Sequence, residues 1–196
     1  MKGLLALILF AALPAHAATV GAPAPDFTLQ SVSAATVKLA QYRGKYVVLE
    51  WVNPECPYVR KHYGSANMQR LQKDYTARDV VWLTINSTRA GHAEYKQPAE
   101  MAAWMKQMNA APSATLLDPK GEAGRTYGAR TTPHMYIVDP QGRLIYAGGI
   151  DSIPSARIED IKTAINYVRT GMAEALAGKP ISQASTRPYG CSIKYR

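Results

Sequence analysis

Lys45-Tyr-Val-Val-Leu-Glu-Trp-Val-Asn-Pro-Glu-Cys-Pro-Tyr-Val-Arg60 decides the fold. Its first half is rich in β-branched and aromatic residues and predicts a buried strand. Pro57 then suits the first turn of a helix. Cys56 stands between the two, where unpaired backbone N–H groups and the positive end of the helix dipole favour a thiolate over a thiol. Glu55 opposes that ionisation, whereas Arg60, Lys61 and His62 favour it. Glu50, in the middle of the apolar run, needs either a raised pKa or a polar partner if it is buried; an outward-facing surface glutamate is the alternative.

Working outward, Val59, Tyr63, Ala66, Leu71 and Tyr75 sit near helical spacing, and Asp79–Asn86 follows as a second buried strand. Strand, helix and strand in that order imply parallel pairing. Upstream, Ala24–Leu29 and Thr36–Leu39 predict a hairpin laid on the main sheet. Downstream, residues 87–97 form a polar loop, and Pro98 opens a helix whose Met101, Trp104, Met105 and Met108 stripe is core packing. A short strand is expected over 114–118 and a small helical segment up to Tyr127. Met135–Asp139 and Arg143–Ala147 predict an antiparallel hairpin turned at Asp139-Pro-Gln-Gly142. Ile158, Ile161, Ile165, Val168 and Met172 step by three and four, as one closing helix should. From Gly178 the chain is irregular and rich in Pro, Ser, Thr and Gly.

The chain has 196 residues, a formal net charge of +9 and two cysteines. Lys2, an apolar run to Leu13 and Ala15-His-Ala17 have the form of a cleaved export signal over residues 1–17, with no lipobox cysteine for a lipid anchor. The remainder suits one domain, residues 18–177, with a tail over 178–196 that carries Cys191. An exported chain with two cysteines belongs where disulfides form and persist, in the periplasm or the secreted medium. The basic residues are scattered, which argues against nucleic-acid binding.

Strand and helix order here describes an α/β protein, a mixed sheet flanked by helices, with an N-terminal β-hairpin extension and an irregular C-terminal tail. Four features, Ala24-Pro-Asp-Phe-Thr-Leu29, the cysteine loop, Thr131-Thr-Pro133 and the Asp139-Pro-Gln-Gly142 hairpin, resemble the thioredoxin-fold superfamily with a redoxin-type extension. Asn53-Pro-Glu-Cys-Pro-Tyr-Val59 and Pro188-Tyr-Gly-Cys-Ser-Ile-Lys-Tyr195 resemble its peroxiredoxin-like branch, the alkyl hydroperoxide reductase/thiol-specific antioxidant type.

The resemblance implies an oxidoreductase acting on thiol or disulfide proteins or on small thiols. Thioredoxins read Cys-x-x-Cys where this chain reads Cys56-Pro-Tyr-Val59, so the attacking thiol is present and its neighbouring partner is valine. Resolution is left to Cys191 or to an external thiol, and a static Cys56–Cys191 disulfide is the inert alternative. Pro133 aligns with a cis-proline facing the attacking cysteine. Thr132 would then offer backbone groups to a substrate, with Pro57 and Tyr58 beside it. Glu50 falls where thioredoxins carry a proton-moving acid, and His134 is either a lining or a packing residue.

A thiol peroxidase is the rival enzyme, although Leu49 and Asn53 fill the proline and threonine positions of the peroxiredoxin pattern. Metal handling by Cys56, Cys191, His62 and His134 is a third reading, without any Cys-x-x-Cys pair to support it. No cofactor or resident metal is expected, and the sequence leaves the oligomeric state open.

Overall fold

The computed structural model describes residues 18–195; the expected export signal over residues 1–17 lies outside the described residues. A seven-stranded mixed sheet forms the centre. Its strands are β1 (Thr28–Ser31), β2 (Thr36–Lys38), β3 (Val47–Trp51), β4 (Val81–Asn86), β5 (Ala114–Leu117), β7 (His134–Val138) and β8 (Leu144–Gly148), in the spatial order β2-β1-β5-β4-β3-β7-β8. β3, β4 and β5 are parallel and joined by crossovers; at one side β7 runs antiparallel to β3, and β8 pairs antiparallel with β7. The hairpin β1–β2, expected upstream of Lys45, attaches to the other side through β5.

Both faces of the sheet are covered, which explains why β3 and β4 are buried at every position and mostly apolar. Helices α1 (Pro57–Gly64), α2 (Asn67–Thr76), α3 (Pro98–Gln107) and α5 (Tyr167–Leu176) provide the residues that pack with Val48, Trp82, Met135 and Ile137 on one face. On the other face Val47, Leu49 and Trp51 pack with Leu39 and with Ala123 of α4 (Glu122–Thr126). Met101 and Met105 are buried as the stripe on α3 predicts, and Trp104 lies 4.7 Å from the Tyr63 ring.

Two helices expected to be continuous are broken. The run from Val59 to Tyr75 divides because Ala66 takes a left-handed φ of 57°, and Gln69 turns back to donate to the Tyr63 carbonyl at 2.8 Å. The closing helix divides because residues 165–167 pair with residues 150–152: the Ser152 N–H reaches the Ile165 carbonyl and the Tyr167 N–H the Ile150 carbonyl, each at 3.0 Å. Ile158–Lys162 is left as a 3₁₀ turn with Ile158 and Ile165 exposed, and α5 starts only at Tyr167, capped by Asn166, whose side chain accepts from the Arg169 N–H. Periodicity cannot register such long-range pairing, which overrides local helical preference.

The tail does not hang free beside the domain. Thr186 exchanges bonds with Ala147 and Gly149, the Ile193 N–H reaches the Arg130 carbonyl, and the Tyr195 hydroxyl donates to the Ala129 carbonyl. Between these anchors, β9 (Cys191–Ser192) pairs antiparallel with β6 (Thr131–Thr132). Among the described residues, no helix is long and apolar enough to cross a membrane.

Candidate active site

The Cys56 loop is built by Asn53. Its carbonyl accepts the Cys56 N–H at 3.1 Å and its side-chain oxygen accepts the Glu55 N–H at 3.0 Å, which turns the chain out of β3. Cys56 is the N-cap of α1 with Pro57 at its first position, so the sulfur sits at the positive end of the helix. The Thr132–Pro133 peptide is cis, as the resemblance implies, and the Thr132 carbonyl accepts the Cys56 S–H at 3.0 Å.

Cys191 is Thr132's partner across the β6–β9 pair. The two cysteines, far apart in sequence, therefore meet at one backbone residue, and both are free thiols. Burial, a hydrogen bond to Cys56 and the charge on Cys56 push the Cys191 thiol up to about 12. A bond that raises a thiol's pKa is one that the thiol donates, so the geometry favours the proton on Cys191. Tail and loops leave Cys56 only 1% exposed. Pro57 is exposed beside it, and Tyr58 meets the tail's Tyr189 edge-to-face at 5.7 Å.

Glu50 is wholly buried rather than outward-facing. Its carboxylate accepts hydrogen bonds from Tyr63 Oη at 2.8 Å, Trp82 Nε1 at 2.8 Å and Gln72 Nε2 at 3.2 Å. Burial raises its pKa to about 7 despite those three donors. Neither thiol is among its hydrogen-bond partners, so the structure brings Cys56, Cys191, Thr132 and Pro133 together and holds Glu50 in a separate polar pocket of the core.

The cations expected to favour the thiolate are engaged elsewhere. Arg60 pairs with Glu55 and donates to the Pro54 carbonyl. Lys61 and His62 are buried and turn toward Asp151 and Tyr189. Tyr58, Lys61 and His62 occupy i, i+3 and i+4 of α1, a shared face that the sequence displays but that proximity to Cys56 obscured. Burial lowers the His62 pKa to about 4 and the His134 pKa to about 3. His134 packs on the Tyr136 ring at 4.5 Å and accepts the Arg130 N–H, a structural role. Asp151 and Tyr189 were given no role from the sequence, since their importance depends on the tail's return to α1. Among the described residues no group of three or more His, Cys, Asp and Glu side chains gathers as a metal site would need.

Comparison with known proteins agrees with the fold. A structure of an uncharacterized conserved protein from Geobacillus kaustophilus is 27% identical with a TM-score of 0.76, covering 91% of this chain and 93% of that one. A hypothetical protein from Sinorhizobium meliloti 1021 is 22% identical with a TM-score of 0.77, covering 92% and 97%. The thioredoxin domain of a thiol-disulfide oxidoreductase from Bacteroides vulgatus is 17% identical with a TM-score of 0.53, covering 74% and 96%, and shares the fold. Among curated proteins no sequence matches. Residues 20–147 match the AhpC/TSA family. The chain belongs to the AhpC/TSA family of thioredoxin-fold proteins, whose chemistry is thiol-dependent oxidoreduction.

Proposed function

We propose that the protein is an exported thiol–disulfide oxidoreductase in which Cys56 attacks and Cys191 resolves. The observation that carries this reading is the pairing of Cys191 with Thr132, the residue whose carbonyl accepts the Cys56 S–H. The Cys56 thiolate attacks one sulfur of a substrate disulfide, forms a mixed disulfide and expels the other sulfur as a thiolate. Cys191 then loses its proton and attacks the Cys56 sulfur, which releases the second substrate thiol and leaves a Cys56–Cys191 disulfide. Two electrons pass from the protein to the substrate, and an external dithiol restores the pair.

The pKa of Cys191 supports this order. While Cys56 is a thiolate, its charge and hydrogen bond keep Cys191 protonated. Once Cys56 is in a mixed disulfide that charge is gone, and Cys191 becomes easier to ionise at the moment its attack is required. Thr132 and Pro133 line the reaction, with Pro57 and Tyr58 at the mouth. Glu50, near pH 7 in its titration, is the buried acid on the α1–α2 side of the sheet. Export is supported by the leader-like form of residues 1–17.

The burial of Cys56 favours one second reading, a thiol peroxidase, because a small hydroperoxide reaches a covered sulfur more readily than a folded protein does. Cys56 would then form a sulfenic acid with release of an alcohol or water, and Cys191 would condense with it to the same disulfide and water. The test is a Cys191→Ser variant offered glutathione disulfide and, separately, hydrogen peroxide. Accumulation of a stable glutathione adduct on Cys56 supports exchange with Cys191 as resolver. Sulfenic acid on Cys56 with no glutathione adduct favours the peroxidase, and Cys56 inert to both removes the enzymatic roles.

A further inference from the structure

We propose, resting on the Cys56–Cys191 reading, that Tyr189 is a positioning residue for the pair: a buried socket of Lys61, His62 and Asp151 grips its hydroxyl and sets how much of the time Cys191 stands at Cys56. Tyr189 precedes Cys191 by two residues, and Lys61 and His62 belong to the helix that Cys56 caps. The grip therefore joins the element carrying one thiol to the segment carrying the other.

The phenol uses its whole hydrogen-bonding capacity in this socket. It donates to Asp151 Oδ1 and accepts from Lys61 Nζ at 3.3 Å. Asn67 Nδ2 donates to His62 Nδ1 at 2.9 Å, which places the neutral imidazole's proton on Nε2, facing Tyr189 Oη at 3.2 Å. One donor and two acceptor sites of a hydroxyl are thereby all occupied. Lys61 and Asp151 complete an ion pair at 3.3 Å with side chains 0% and 3% exposed. Apolar residues of similar size would pack this space at no desolvation cost, so three buried polar groups around one hydroxyl are an arrangement for specificity rather than stability.

One residue transmits the grip to the thiol. Gly190 has a φ of +138°, and a Cβ there would stand 2.0 Å from the Thr132 carbonyl oxygen, the atom that accepts the Cys56 S–H. The chain from Tyr189 to Cys191 is thus pressed against the centre of the site with no slack for a side chain between. A resolving thiol on a tail reacts in proportion to its effective concentration at the target sulfur, which such a grip raises.

Tyr189→Phe tests the grip, because it keeps the ring on Tyr58 and removes only the hydroxyl. Wild type, Tyr189→Phe and Tyr195→Phe are equilibrated in buffers of glutathione and glutathione disulfide. One glutathione disulfide and the two protein thiols give the Cys56–Cys191 bond and two glutathione molecules, and the bond is quantified by mass spectrometry after free thiols are alkylated. In Tyr189→Phe the equilibrium constant is expected to fall about tenfold, roughly a 30 mV change for a two-electron couple. Alkylation of reduced Cys56 is expected to speed up by a similar factor. Tyr195→Phe, which loses a hydroxyl anchor beyond Cys191 in the same tail, should match wild type in both. Equal constants in Tyr189→Phe and wild type overturn the socket's role, as does an equal loss in Tyr195→Phe, which would assign the effect to general tail anchorage. A wild type that forms no Cys56–Cys191 bond at any ratio overturns instead the reading underneath.

Discussion

Glu50→Gln carries a magnitude that follows from the buried pocket. The Glu50 carboxyl rises from 4.5 to about 7 because burial outweighs the hydrogen bonds from Trp82, Tyr63 and Gln72. A folded-state pKa above the unfolded one means that the native state holds the proton more tightly. The stability this group contributes is full below pH 4.5 and is lost as pH rises through 7. At 1.36 kcal/mol per pKa unit, the loss across that window amounts to about 3 kcal/mol. Glutamine mimics the protonated acid and cannot ionise. Urea unfolding of both proteins at half-unit steps from pH 4.5 to 8 reads the difference, since all other groups are shared. The variant's unfolding free energy relative to wild type is expected to climb with pH by about 3 kcal/mol and level off above pH 7. Parallel profiles across the whole window would refute a buried, proton-holding Glu50.

Replacing Cys56 by alanine removes both the hydrogen bond and the charge that hold the Cys191 proton. Cys191 should then titrate below its value of about 12, as read from the pH dependence of iodoacetamide alkylation, and an unchanged profile would show the thiols to be uncoupled. Gly190→Ala places a methyl against the Thr132 carbonyl and strains a backbone that L-residues rarely adopt. Cys56, 1% exposed with the tail in place, is expected to react with alkylating agents at least about tenfold faster in that variant, and protection equal to wild type would contradict the tail's role as cover.

Local features made most of the sheet legible. β3 and β4 are largely apolar runs because both of their faces are covered, and Pro57 after Cys56 marks the helix start within one residue. Glu50 in such a run posed a problem of desolvation that the sequence could state but not solve; the donors come from α1, α2 and β4. Cys191 was recognisable as the second thiol, whereas its pairing with Thr132 depends on the return of the tail over the sheet edge. Lys61 and His62 look like cations for the thiolate in the sequence and turn away from it in the fold for the same reason. Their partners Asp151 and Tyr189 lie far along the chain, and only the folded structure brings them to α1.

The most direct measurement is non-reducing peptide mapping of the wild-type protein after a single equivalent of glutathione disulfide. A linked pair of peptides containing Cys56 and Cys191, with two glutathione thiols released, is the result expected of an attacking and a resolving cysteine. Glutathione retained on Cys56 with Cys191 free would contradict that assignment and leave resolution to an external thiol.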